Sequence, residues 1–369
     1  MKITGVKTYL VRANDGGVAN RPRGRNWLFV AVETDEGITG YGEGGGWPEV
    51  VETGVREVAP LLFGEDPLAT ERIWLKIYDI LHGHGLTGAV RGGVQSAIDI
   101  ALWDIKGKAL GVPIHVLLGG AVRDRIRVYG HASTPELARE LVGEGYTAFK
   151  CQPSAQILAD LRTAVGDGID IGLHAHGEFT VHAAVRLARD AEPYRPAFLE
   201  EPTHPDEPEA LAAVAAKVDV PLAAGERIYS KWAMYELIKR GVVQLIQPET
   251  TRLGGITELK KVASIAEAAG THVAPHAGSV GPIVEMANVH VMATAPNFLY
   301  LEHMPRDIAR RHTVVHGGAR VVNGHIPLPT APGLGIELDL EEIARYGLLP
   351  AEDYTYTIRT PDEIRRWRA

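Results

Sequence analysis

Residues 169–202 read "IDIGLHAHGEFTVHAAVRLARDAEPYRPAFLEEP". A short apolar run ends in two histidines. Apolar residues at helical spacing follow from Val181, and a second apolar run ends in two glutamates. In a strand, alternate side chains share a face, so His174 and His176 are expected to point the same way. Two apolar strands joined by one helix form a β-α-β unit with parallel strands. The same phrase recurs along the chain: "IRVYGHA" before a helix from Pro135, "AFKCQP" before one from Ser154, and "PAFLEEP" before one from Pro208. "PLAAGE" precedes a helix from Ser230, "VVQLIQPE" one from Gly255, and "THVAPHA" one from Gly281; "NFLYLEHM" is the last strand. About eight such units predict an α/β fold, a closed β/α (TIM) barrel. An open doubly wound sheet is the alternative. "GYGEGGGW" does not supply its dinucleotide fingerprint, because it opens no helix at the required spacing.

The chain before the barrel has a different grammar. "KITGVKTYLV" and "NWLFVAVETDEGITGYGEG" alternate like antiparallel strands, with "DEG" as the turn. "RANDGGVANRPRGR" between them reads as a loop, and "HGHG" at 82–85 as another. "GVQSAIDIALWDIKGKALG" reads as a helix with Ile98, Ala101, Leu102 and Ile105 on one stripe. The organisation expected is a capping α+β unit over 1–122, a barrel over 123–325, and a segment 326–369 that packs back on the cap.

Composition narrows the function classes. With 45% hydrophobic and 23% charged residues the chain reads as an ordinary globular protein. A net charge of -8 argues against nucleic acid or an anionic membrane as main partner. One cysteine, Cys151, allows no internal disulfide. No apolar run approaches a membrane span, and the N-terminus lacks a signal-peptide core, so the expected location is cytoplasmic.

Ionisable residues end nearly every barrel strand: His131, Lys150 with Gln152, His174 with His176, Glu200 with Glu201, Glu226, Glu249, His276 and Glu302. In a β/α barrel these ends ring the catalytic mouth. Carboxylates that converge there repel one another unless a cation lies between them. An oxygen-rich cluster of this kind suits Mg²⁺.

These residues resemble the enolase superfamily, in particular its mandelate racemase-like sugar-acid dehydratases. The resemblance is carried by "RGGVQSAIDIALWDIKGKALGVPIHVLLGG", "FLEEP", "AAGERI", "QPETTRLGGITE", "APHAGSVGPI" and "PGLGIEL". It implies a modified (β/α)7β barrel under a capping domain built from both chain ends. It also implies a bound Mg²⁺, abstraction of the proton α to a carboxylate, a small-molecule carboxylate substrate, and a homo-oligomer of dimers up to octamers. By the same resemblance Glu200 and Glu226 are metal ligands and His276 is the general base. Glu249 orients His276, where the family normally has aspartate, and Glu302 bonds a substrate carboxylate oxygen. His176 falls where a histidine protonates the leaving hydroxyl.

Two positions depart from the family. His174 stands where a metal-ligating aspartate is expected, and nitrogen suits Mn²⁺, Fe²⁺, Ni²⁺ or Zn²⁺ better than Mg²⁺. Gln152 stands where racemases carry a second lysine; it cannot take a proton, which disfavours a two-base racemase. Lys150 remains to hold a substrate carboxylate or pair with a glutamate. Arg21, Arg23 and Arg25 of the capping loop are candidates for a distal carboxylate, and Trp47 for an apolar wall. The reading reached is an acid-sugar dehydratase, aldonate or aldarate. A cycloisomerase or epimerase, and a degenerate ligand-binding barrel, stand beside it.

Overall fold

The computed structural model describes residues 1–13, 26–278, 280–304, 306 and 309–346. Strands β1 (Ile3–Arg12), β2 (Asn26–Thr34) and β3 (Thr39–Gly44) form an antiparallel sheet in chain order. The expected turn is there: Gly37 donates to Thr34 O at 3.2 Å with φ 76°, a conformation that favours glycine. Helices α1 (Pro48–Val58), α2 (Thr70–Gly83) and α3 (Gly88–Leu110) pack on this sheet.

The contact between β3 and α3 is written in small residues. Gly40, Gly42 and Gly44 recur every second residue on one strand face, and Gly93, Ala97 and Ala101 every fourth on the helix. Two strand residues and four helix residues advance by nearly the same length, so the two rows run alongside each other. A Cβ on Gly42 would lie 1.8 Å from Ala97 O. The stripe expected on α3 is buried, and so is nearly every residue from Arg91 to Leu102, because α3 lies between cap and barrel. α3 ends at Gly111, φ 68°. The loop expected at 82–85 begins late: His82 closes the last turn of α2 and stacks on Tyr78 with ring centroids 5.0 Å apart.

The barrel strands are β4 (Arg125–His131), β5 (Ala148–Cys151), β6 (Asp170–His174), β7 (Phe198–Glu200), β8 (Leu222–Ala224), β9 (Leu245–Ile246), β10 (His272–Val273) and β11 (Leu301–Glu302). Each pairs in parallel with the next from β4 to β10, and β11 pairs with β4. The seam closes through the Val273–Phe298 bridge, with Leu299 N donating to Val273 O at 3.0 Å. Helices begin where the sequence placed them, Ser154, Thr180 and Ser230 each accepting a bond from the backbone N–H three residues on. Tyr129, Phe198 and Tyr300, with small residues between, fill the interior below the mouth. Gly172 leaves room for Phe198, whose ring would lie 2.2 Å from a Cβ there.

Beyond the barrel, strand β12 (Val315–Gly317) pairs with β14 (Ile336–Leu338), and β13 (His325–Pro327) adds antiparallel to β4. Residues 332–338 lie on the C-terminal end of α3: Leu334 N donates to Asp104 Oδ1 at 2.8 Å, and Lys108 pairs with Glu337 at 2.6 Å. Residues 347–369 of the expected terminal segment lie outside the described residues.

Several ties join cap to barrel. Asp99 of α3 accepts from Thr257 N at 2.9 Å, Ser96 donates to Thr250 O at 2.7 Å, and Trp74 donates to Gly254 O at 2.9 Å. Glu43 of β3 accepts from Gly281 N and Val284 N, at the start of helix Pro282–Ala293. Among the described residues no helix is long and apolar enough to cross a membrane.

Candidate active site

Strand register brings the ionisable ends together. β4 and β5 set His131 beside Lys150, and β6 and β7 set His174 beside Glu200. A bridge beyond β9 and β10 sets Glu249 beside His276. Neighbouring residues across a parallel pair share a face, so these side chains turn into the mouth together.

Lys150 is the central cation. Its Nζ lies 2.9 and 3.0 Å from the two oxygens of Glu200 and 3.0 Å from Glu302 Oε1. Burial would depress the ammonium's pKa, but Glu200 and Glu302 outweigh it and hold the pKa well above the ordinary lysine range. Glu200 also meets His174 Nδ1 at 2.8 Å and Gln247 Nε2 at 2.9 Å. Burial alone would raise this carboxyl; Lys150 and His174 pull it far below the usual range. Glu302 meets His131 Nε2 at 2.5 Å and accepts from Ala277 N at 2.7 Å.

A second group surrounds His276. Its Nδ1 lies 2.6 Å from Glu249 Oε2, and Glu249 is itself held by the Thr251 hydroxyl at 2.7 Å. Its Nε2 lies 3.2 Å from Glu226 and 3.6 Å from Glu302. Burial opposes the imidazolium, yet Glu226, Glu302 and Glu249 together raise its pKa to about 9. His176 Nε2 lies 3.6 Å from the other oxygen of Glu226, so two imidazoles bracket one carboxylate.

His176 reaches its place by another route than strand alternation. Strand β6 ends at His174, and His176 reaches the same side through a left-handed backbone, φ 53°, not through strand alternation. The ring centroids of the two histidines are still only 5.1 Å apart. Glu226 alone would raise the pKa of His176. It is lowered, because burial, Arg227 and His174 outweigh the pull of Glu226.

The other candidates divide. Gln152 is exposed, its backbone N–H bonded to Ser133. Trp47 is half-exposed ahead of α1, two residues beyond Gly45, whose N–H donates to Thr251 O. Arg21, Arg23 and Arg25 lie outside the described residues. Cys151 is buried, its thiol pushed up to about 12 by burial. Three further residues join the cluster. His131, at the end of β4, binds Glu302. Gln247, just past β9 and two positions before Glu249, binds Glu200. Arg227 binds Glu201 through its Nε at 2.9 Å.

Two family models match the chain: "Mandelate racemase / muconate lactonizing enzyme, N-terminal domain" over residues 22–119 and "Enolase C-terminal domain-like" over 133–343. The chain belongs to the enolase superfamily. A D-galactonate dehydratase of Verminephrobacter eiseniae is 36% identical over 92% of both chains, and one of Xanthomonas axonopodis 35% over 94% of both. Among solved structures, the 3,6-anhydro-D-galactonate cycloisomerase of Zobellia galactanivorans is 28% identical with TM-score 0.86, covering 94% of this chain and 99% of that one. An enolase from Agrobacterium radiobacter, solved with Na and L-malate bound, is 29% identical with TM-score 0.87, covering 98% of each.

Members of the superfamily bind a divalent metal, typically Mg²⁺. The residues present do not fit that ion as the family holds it. Glu200's two oxygens already carry four nitrogen contacts, as many as a carboxylate has lone pairs. The aspartate position offers His174, with Nδ1 turned to Glu200. Glu226 Oε2 is buried without a hydrogen bond, but its counter-charge is His276 at 3.2 Å. Among the described residues no group of three or more His, Cys, Asp or Glu is placed to hold a metal. Each carboxylate instead lies against a basic side chain: Glu200 and Glu302 against Lys150, Glu201 against Arg227, and Glu226 and Glu249 against His276.

Proposed function

We propose that this member of the superfamily dehydrates an acid sugar, an aldonate or aldarate. The observation that carries the reading is the His276–Glu249 pair with His176 facing it across Glu226. Its support from relatives is that those 34–36% identical over 92% or more of this chain are named D-galactonate dehydratases. A structural neighbour binds L-malate, a hydroxy-dicarboxylate.

His276 Nε2 takes the C2 proton, and Glu249 holds the ring by Nδ1 and stabilises the imidazolium that forms. The C2 electron pair moves into the C2–C3 bond as the 3-hydroxyl leaves with a proton from His176. The enol so formed takes a proton at C3 and becomes a 2-keto-3-deoxy acid. The Lys150 ammonium, held at the mouth floor by Glu200 and Glu302, is the cation that orients the substrate carboxylate. Gln152 is exposed and cannot serve as a base on the other face, so epimerisation by two bases is disfavoured.

A second reading keeps the pair and exchanges the roles. The pKa of His276 is raised and that of His176 lowered, the directions of an acid and a base respectively. Both readings are tested by screening aldonic and aldaric acids for 2-keto-3-deoxy product, then comparing His276→Asn with His176→Asn in D₂O. In the first reading His276→Asn loses product and C2 exchange, while His176→Asn keeps exchange. The opposite result establishes the second, and a wild-type protein that forms no keto acid from any of them removes both.

A further inference from the structure

We infer that Lys150 is the resident counter-cation of Glu200 in the working protein and that this barrel mouth keeps no bound divalent ion. The inference rests on the site assigned above, but not on its turnover.

A divalent ion needs carboxylate lone pairs that face a common point. Glu200 has none left: Lys150 spans both oxygens, His174 Nδ1 takes one side and Gln247 Nε2 the other. This is a built arrangement. Lys150 is 2% exposed and Glu200 and Glu302 are fully buried, and the ammonium bridges the two. Placing M²⁺ on Glu200 would set it beside that ammonium, in a region where water screens little. Moving the ammonium away would strand Glu302 as well.

The register of the sheet explains how the change came to be tolerated. Position 174 lies directly across from Glu200. An aspartate there would add a third negative charge next to Glu200 and call for an external cation. Histidine adds a donor instead, and Nδ1 satisfies Glu200 without one. Its far nitrogen, Nε2, is a poor ligand for Mg²⁺. Glu226 is turned to His276 and His176, and Glu201 to Arg227, so no pair of carboxylates is left facing itself.

The test is elemental analysis of protein purified without added metal or a metal-affinity step, with thermal melts in chelator and in Mg²⁺, Mn²⁺ or Zn²⁺. The expected result is far less than one divalent ion per chain and a Tm unmoved by chelator or by Mg²⁺. His174→Asp restores the oxygen donor and is expected to acquire a Mg²⁺-dependent rise in Tm of several degrees. About one ion per chain in the wild type, or a Tm that chelator lowers, overturns the inference. A folded His174→Asp protein with no Mg²⁺ response overturns the assignment of the change to that residue. Should that variant not fold, the wild-type metal content and melts decide alone. A metal-free protein that forms no keto acid would sink the dehydratase reading and leave this one standing.

Discussion

Replacing Lys150 by methionine removes one ammonium and leaves its stem length nearly unchanged. In the native protein that ammonium answers two fully buried carboxylates, Glu200 and Glu302. Breaking a buried ion pair by deleting one partner typically costs about 3–5 kcal/mol, because the other charge stays buried and unanswered. Here two charges are left, partly held by His174, Gln247, His131 and the Ala277 N–H, so the expected loss is at least about 3–5 kcal/mol. The assay is urea denaturation of both proteins, read from the midpoint and the slope. The pH dependence has a definite sign. With Lys150 both carboxyls lie below their ordinary value, and the stability this gives is present above that value and lost as pH falls. Without Lys150, burial pushes them up, so the gap between variant and wild type is widest near neutrality and narrows as acid protonates them. A loss below about 1 kcal/mol, the scale of an exposed pair, would refute the central place given to Lys150.

Two further outcomes are expected. His276 should titrate near 9 in the substrate-free protein, by ring NMR; its contribution to stability is full below about 6.5 and is lost as pH rises through 9. A value near 6.5 would mean that Glu226 and Glu302 do not act on it. Gly42→Ala should lower stability by about 1–3 kcal/mol, since its Cβ would press on Ala97 O, while Gly143→Ala, in a helix with open space around it, should be neutral or stabilising by thermal melt.

Much of the architecture was legible because barrel strands carry two signals at once, apolar interiors and ionisable ends. Helix starts at Pro135, Ser154 and Pro208 could be read from proline and cap residues alone. Site membership was less legible, because it depends on register between strands far apart in sequence. His131 is an ordinary strand-end histidine until β11 places Glu302 within reach of its ring. Gln247 shares the parity of Glu249 in "QLIQPE", but glutamine carries no charge to mark it as a partner of Glu200. The lowered pKa of His176 is not readable in the sequence, because burial and Arg227 are invisible in a list of neighbouring carboxylates.

The contacts between α3 and the barrel bear on how such proteins can be recombined. α3 lies against residues 250–257, the stretch that directly follows Glu249, and β3 lends Glu43 to the helix that follows His276. His276 and Glu249 are thus both anchored from the N-terminal unit. Transplanting that unit whole from a relative would exchange parts of the support under the proposed proton-transfer pair along with any change in substrate preference. A chimera that keeps α3 and β3 native and exchanges only the connecting loops should retain its alignment. One that replaces them should lose turnover before it loses its fold.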